Sequence, residues 1–153
     1  IVARISCVIG TKTVGDNTGE MAALLRVRPS HSHFVAECHL VECAKLDARG
    51  NYSALAGISL RYMKEWWDMI ERRDWTAASQ RQLAVRAFYK EGVVPMREGG
   101  YIAGAIDKSM ASIGGAKGSR LVRPPYPSAP DRLFRRMRTA ARKYLPEAMT
   151  ASP

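Results

Sequence analysis

L-R-Y-M-K-E-W-W-D-M-I-E-R-R, residues Leu60 to Arg73, reads two ways. Leu60, Met63, Trp66 or Trp67, and Ile70 fall at the spacing of one helix face, which on periodicity alone gives an amphipathic helix. Ile58, Leu60 and Tyr62 fall equally well at the alternating positions of a strand. What flanks the stretch decides whether the chain is read as helical or as mainly β.

Upstream, Ile5 to Ile9 and Thr11 to Val14 are rich in β-branched residues and run into Asp16-Asn17-Thr18-Gly19, where Asn and Gly tolerate left-handed backbone. The pattern predicts a strand and then a tight turn. Met21 to Val27 is apolar and is followed by a loop from Pro29 to His33. Phe34 to Leu46 is strand-like and ends in a turn at Asp47 to Asn51, and Ala54 to Tyr62 reads as a further strand. Downstream, Gln82 to Tyr89 is another strand candidate and Tyr101 to Ile106 reads as extended, with Gly-rich turns around Gly99 and Gly114. Pro124, Pro125, Pro127 and Pro130 break regular structure before a helix from about Asp131 to Tyr144, which Pro146 stops. Short strands at close spacing predict a mainly β chain, a small barrel finished by a C-terminal helix.

With 153 residues, 46% of them hydrophobic, and three tryptophans, the chain is expected to form one domain, 1–153, with its own core. It has no apolar run of about 18 residues, so no membrane span is expected. The charge is uneven. Ile1 to Thr76 holds 10 basic and 9 acidic residues, whereas Ala77 to Pro153 holds 14 and 5. A one-sided basic surplus points to a polyanionic partner, nucleic acid or an anionic membrane surface. Three cysteines do not make a disulfide scaffold, which fits a reducing compartment. Ile1 in place of an initiating Met suggests a removed targeting segment.

His31, His33, Cys38, His39 and Cys43 are close enough in sequence to suggest zinc, yet their spacing matches no standard knuckle, and no metal is expected. Gly114 to Ser119 fails as a phosphate loop because Lys117 precedes Gly118. No nucleophile with a base in order is found, so the chain is expected to be no enzyme and to need no cofactor. Lys117 to Lys143, by contrast, holds nine basic residues against Asp131 as its only acid. Seven are arginine, whose planar fork suits phosphate oxygens. On a helix, Arg132, Arg135, Arg136, Arg138, Arg142 and Lys143 spread over more than one face, which fits insertion among phosphates better than lying on a bilayer.

Val14-Gly15-Asp16-Asn17-Thr18-Gly19 resembles the V-x-D-N-[ST]-G of the universal large-subunit ribosomal protein fourteen family. Cys43 to Leu46, Gly50-Asn51-Tyr52, Ala56-Gly57-Ile58, Leu83 to Arg86, Lys90 to Val93, Arg97 to Ile102, Gly118 to Leu121 with Pro124, and Tyr144 to Glu147 resemble that family's later motifs in the same order. The resemblance implies a five-stranded β-barrel with short C-terminal helices, with Asp16 to Gly19 turning its first strand. It tilts Leu60 to Arg73 towards strand as far as Glu65. Glu20 to about Glu37 then stands as an insertion, 131–145 as a basic helical segment, and the departures from the family suggest an organellar version.

The expected function is therefore structural: a constituent of the large subunit of an organellar, mitochondrial ribosome that binds large-subunit ribosomal RNA. Neighbouring ribosomal proteins, a ribosome-silencing factor and small-subunit RNA at an intersubunit bridge are further implied partners. Lys117, Arg120, Arg123, Arg132, Arg135, Arg136 and Arg142 are the expected phosphate contacts, with Arg86, Lys90 and Arg97 secondary to them. The alternatives are an accessory subunit of a mitochondrial membrane complex and a zinc enzyme built on the His/Cys loop.

Overall fold

The computed structural model describes residues 7–14, 17–27 and 30–150. Three short strands, β1 (Gly10–Lys12), β2 (Ser32–Val35) and β3 (Gly50–Asn51), lie side by side in that order. All pairings are parallel, with Lys12 opposite Phe34 and Phe34 opposite Gly50. Parallel neighbours cannot be joined by a tight hairpin, so each return must cross over. α1 (Thr18–Val27) makes the first crossover; a 3₁₀ turn at Glu37–His39 and α2 (Leu40–Ala44) make the second. Beyond a 3₁₀ turn at Ala54–Gly57 the described elements are all helical: α3 (Leu60–Glu71), α4 (Trp75–Phe88), a π-helical turn (Tyr89–Val93), α5 (Val94–Glu98), α6 (Ala103–Ile113), α7 (Asp131–Tyr144) and α8 (Pro146–Met149). The expected mainly β, five-stranded barrel is thus corrected to an α-rich fold around an open parallel sheet.

Helix caps explain the difference. The Asn17 side-chain oxygen accepts the backbone N–H groups of Gly19 at 2.8 Å and Glu20 at 3.3 Å. The residues read as a hairpin turn instead start α1, since Asn satisfies orphan helix donors as readily as it makes a turn. Asp16 of that turn lies outside the described residues. The stretch read as an insertion, 20–37, carries most of α1 and all of β2, the central strand.

Leu60 to Arg73 settles the same way. Ser59 Oγ accepts the Tyr62 N–H at 3.1 Å and caps α3, which corrects the strand to Glu65. Tyr62, Met63, Trp66 and Ile70 turn inwards while Leu60 stays exposed. Trp66 is fully buried, and its Nε1 donates to the Ala78 carbonyl at 3.0 Å, tying α3 to α4. Asp74 caps α4 by accepting the Ala77 N–H at 3.1 Å. The strand expected at Gln82 to Tyr89 is the second half of α4 running into the π turn. Its buried residues, Ala78, Gln82, Val85 and Phe88, recur every three or four positions. α7 occupies the stretch read as a C-terminal helix, but its Leu133, Met137, Ala140 and Ala141 form one buried stripe against α4 and the π turn.

One apolar cluster joins Val35 and Leu40 from the sheet side to Trp66, Phe88, Met96, Met110 and Met137 from the helices. α6 is seated at Gly114, where a Cβ would lie 2.1 Å from the Gly57 carbonyl oxygen and 2.5 Å from that of Ile58. Gly114→Ala is expected to cost about 2 kcal/mol or more, because backbone rather than a flexible side chain must give way. Gly118→Ala, with nothing within 4 Å, serves as the control. Thermal unfolding of the two variants tests this, and equal midpoints would contradict it.

Candidate active site

In open parallel sheets and barrels, ligands gather where strands deliver their C-terminal ends. Here Lys12 ends β1, Ala36 and Glu37 follow β2, and Tyr52 and Ser53 follow β3, and all of them line one cleft of about 480 Å³. The far wall comes from Tyr89 on the π turn, Arg97 on α5, and Ile106 and Asp107 on α6. π-helical turns recur at functional sites. This one presents Tyr89 to the cleft.

Alternation along β2 separates two faces. His33 and Val35 are buried on the helix side, where Thr11 Oγ1 and His33 Nδ1 lie 2.8 Å apart, whereas Ser32 and Phe34 face away. Phe34 lies over Gly50, at which a Cβ would come within 2.8 Å of its ring. Lys12, level with Phe34, projects its ammonium over the Tyr52 ring, 4.3 Å from the centroid.

Glu37 is only 5% exposed. Its Oε1 accepts Ser53 Oγ–H at 2.9 Å and the Tyr89 hydroxyl. α4 fastens the segment that carries it. Gln82 Oε1 accepts the Val41 N–H at 2.7 Å, Arg86 Nε donates to the Cys38 carbonyl at 2.7 Å, and Gln82 and Arg86 both donate to the Glu42 carboxylate. Burial pushes Glu42 up, but these hydrogen bonds and the Arg86 charge outweigh it and hold its carboxyl below the ordinary value. Burial and the neighbouring Glu37 raise the Tyr89 hydroxyl far above the usual phenol value. Asp107 is raised by desolvation and by Glu37, against the pull of Lys12 and Arg97.

Of the expected phosphate contacts, three brace the fold. Arg86 pairs with Glu42, Arg120 pairs with Asp131 and stacks 3.9 Å above the Phe134 ring, and Arg136 donates to the Glu91 carbonyl. Lys117, Arg123, Arg132, Arg135, Arg142 and Lys90 are exposed and away from the cleft, and Arg97 alone of the ten lines it. The His/Cys group is dispersed: His39 bonds Thr18, and burial with the adjacent Glu42 pushes the Cys43 thiol up to about 11, against the thiolate that zinc requires. Among the described residues, no three His, Cys, Asp or Glu side chains are placed to hold a metal, and no helix is long and apolar enough to cross a membrane. Sequence reasoning passed over Lys12, Glu37 and Asp107. The one available signal was Lys12 itself, a lone lysine inside the β-branched run Thr11 to Val14.

No protein-family model and no curated protein matches the chain. Solved structures do. YagE, a prophage protein of the dihydrodipicolinic acid synthase family from E. coli K12 in complex with pyruvate, superposes with a TM-score of 0.72 at 16% identity, over 90% of this chain and 46% of that one. A putative dihydrodipicolinate synthase family protein from Coccidioides immitis gives 0.72 at 15%, over 94% and 48%. The chain spans about half the length of these neighbours, and at such identity the likeness concerns the fold. It overturns the ribosomal protein fourteen resemblance and the partners drawn from it: large-subunit RNA, neighbouring ribosomal proteins, and small-subunit RNA at an intersubunit bridge. The expectation of a non-enzymatic ribosomal constituent is corrected, since the shared fold is that of a synthase family. The membrane-complex alternative gains no support.

The raised Tyr89 carries a pH signature. An unfolded tyrosine ionises near pH 10, whereas buried Tyr89 stays protonated, so its contribution to stability is complete below pH 10 and is lost as pH climbs above it. Tyr62, pushed up to about 12 by burial with Arg81 opposing, adds to the same loss. Tyr89→Phe is expected to unfold in urea with a shallower decline in stability between about pH 10 and 12 than the wild type. Identical declines would contradict the assignment.

Proposed function

We propose that this chain carries the Schiff-base lysine of an enzyme that makes or breaks bonds next to the carbonyl of a 2-oxo acid, and that Lys12 is that lysine. The observation that carries the reading is the placement of Lys12: an amine at the C-terminal end of a parallel strand, in the cleft at the strand ends, which carboxyl and phenol groups also line. The pyruvate held by a structural neighbour supports the substrate class by analogy of fold.

The Lys12 nitrogen adds to the carbonyl carbon and passes a proton to the carbonyl oxygen, giving a carbinolamine. A proton supplied to its hydroxyl lets water leave, and an iminium forms. The positive nitrogen draws electrons from the adjacent carbon, so a base can remove a proton there and leave an enamine. That enamine carbon joins, or is released from, a second carbonyl compound. Glu37 is held by Ser53 and Tyr89 at this cleft, and Asp107 stands across from it, so both are placed to exchange protons with the bound carbon skeleton.

Borohydride added with pyruvate is expected to reduce the iminium and fix one pyruvate-derived group on the peptide containing Lys12, detectable by mass spectrometry. Lys12→Gln and Lys12→Arg should both abolish the adduct. Equal labelling of either variant would refute the assignment.

A further inference from the structure

We infer that Arg97 is the residue by which this cleft selects carbonyl compounds bearing a carboxylate. The inference rests on the Lys12 reading above and extends it to a second side chain. Lys12 and Arg97 are the cations that line the cleft, one from β1 and the other from α5. The charge of Asp107, on α6, senses both of them, yet the three side chains make no ion pair with one another among the described residues. They face a common gap rather than closing it.

Three arginines away from the cleft are each matched to a carboxylate: Arg81 to Glu147, Arg86 to Glu42, Arg120 to Asp131. Among the described residues Arg97 has no such carboxylate partner. Its guanidinium carbon stands 5.8 Å from the centroid of the Tyr89 ring, and the Tyr89 hydroxyl is fixed to Glu37. A cation held near an aromatic face by its charge spends no N–H donor on the ring, so the forked donors of the guanidinium remain for a planar carboxylate. A 2-oxo acid has two polar ends on adjacent carbons. The Lys12 amine answers the carbonyl, and the Arg97 fork answers the carboxylate beside it. An uncharged ketone of the same skeleton gains only the first.

The test is reductive trapping on the full chain, comparing pyruvate with methyl pyruvate, which keeps the ketone but has no carboxylate charge. The wild type should trap pyruvate at lower concentration than the ester. Arg97→Gln should raise the pyruvate concentration for half-maximal trapping about tenfold or more, the scale of losing one charged hydrogen bond, and leave the ester unchanged. Arg97→Lys should recover part of the preference, and Arg132→Gln, an exposed arginine on α7, should change nothing. Unchanged pyruvate trapping in Arg97→Gln, or an equal loss for both compounds, would overturn the Arg97 role while Lys12 stands. A wild type that traps neither compound overturns the Lys12 reading and this one with it.

Discussion

Parallel pairing of three very short strands is the constraint from which the rest follows. Strands running the same way must each be returned by a crossover, so the helices are forced outside the sheet and every C-terminal strand end comes to one edge. At that edge the chain leaves the hydrogen-bonded ladder, and the residues there are free to serve a site rather than a sheet. Lys12, Glu37 and Ser53 come from three such exits, 25 and 16 residues apart in the chain, and meet in one cleft.

Strands this short cannot hold a site alone. The helices supply rigidity at specific points. Trp66 donates across to the Ala78 carbonyl and fixes α3 on α4. Gln82 and Arg86 then reach from α4 to the segment after β2 and hold it by its backbone. The next turn of the same helix is π-helical, which brings Tyr89 to the Glu37 carboxylate. Gly114 lets α6 close against the turn after β3, and so sets where Asp107 stands. The groups of the cleft are thus bound to the core through hydrogen bonds, and truncating either partner would leave the other unsatisfied.

Much of this was written in the sequence in cap residues. Asn17 with Glu20 three positions on, Ser59 ahead of the Leu60, Met63, Trp66, Ile70 series, and Asp74 ahead of Trp75 are helix starts with the usual side-chain acceptors. They were outweighed because Asn, Asp, Ser and Gly serve turns by the same chemistry, and because a collinear set of short motifs favoured strands. β1 was legible in its β-branched run, though displaced by a few residues, and α7 was legible from Asp131 to Tyr144. The meeting of Lys12, Glu37 and Asp107 was not legible, because it depends on parallel pairing, and two-to-four-residue strands leave no periodicity to read. The basic C-terminal stretch misled in a different way. Its arginines are partly structural, as Arg120 and Arg136 show, and partly the solvated face of an amphipathic helix.

The central claim is that a carbonyl substrate binds at the strand ends by a covalent bond to Lys12. A crystal structure of the chain soaked in pyruvate tests it most directly. The account predicts continuous density from Lys12 Nζ to the second carbon of pyruvate, inside the cleft bounded by Glu37, Tyr89 and Asp107. Pyruvate bound elsewhere, or a Lys12 side chain unmodified beside an empty cleft at saturating pyruvate, would contradict it.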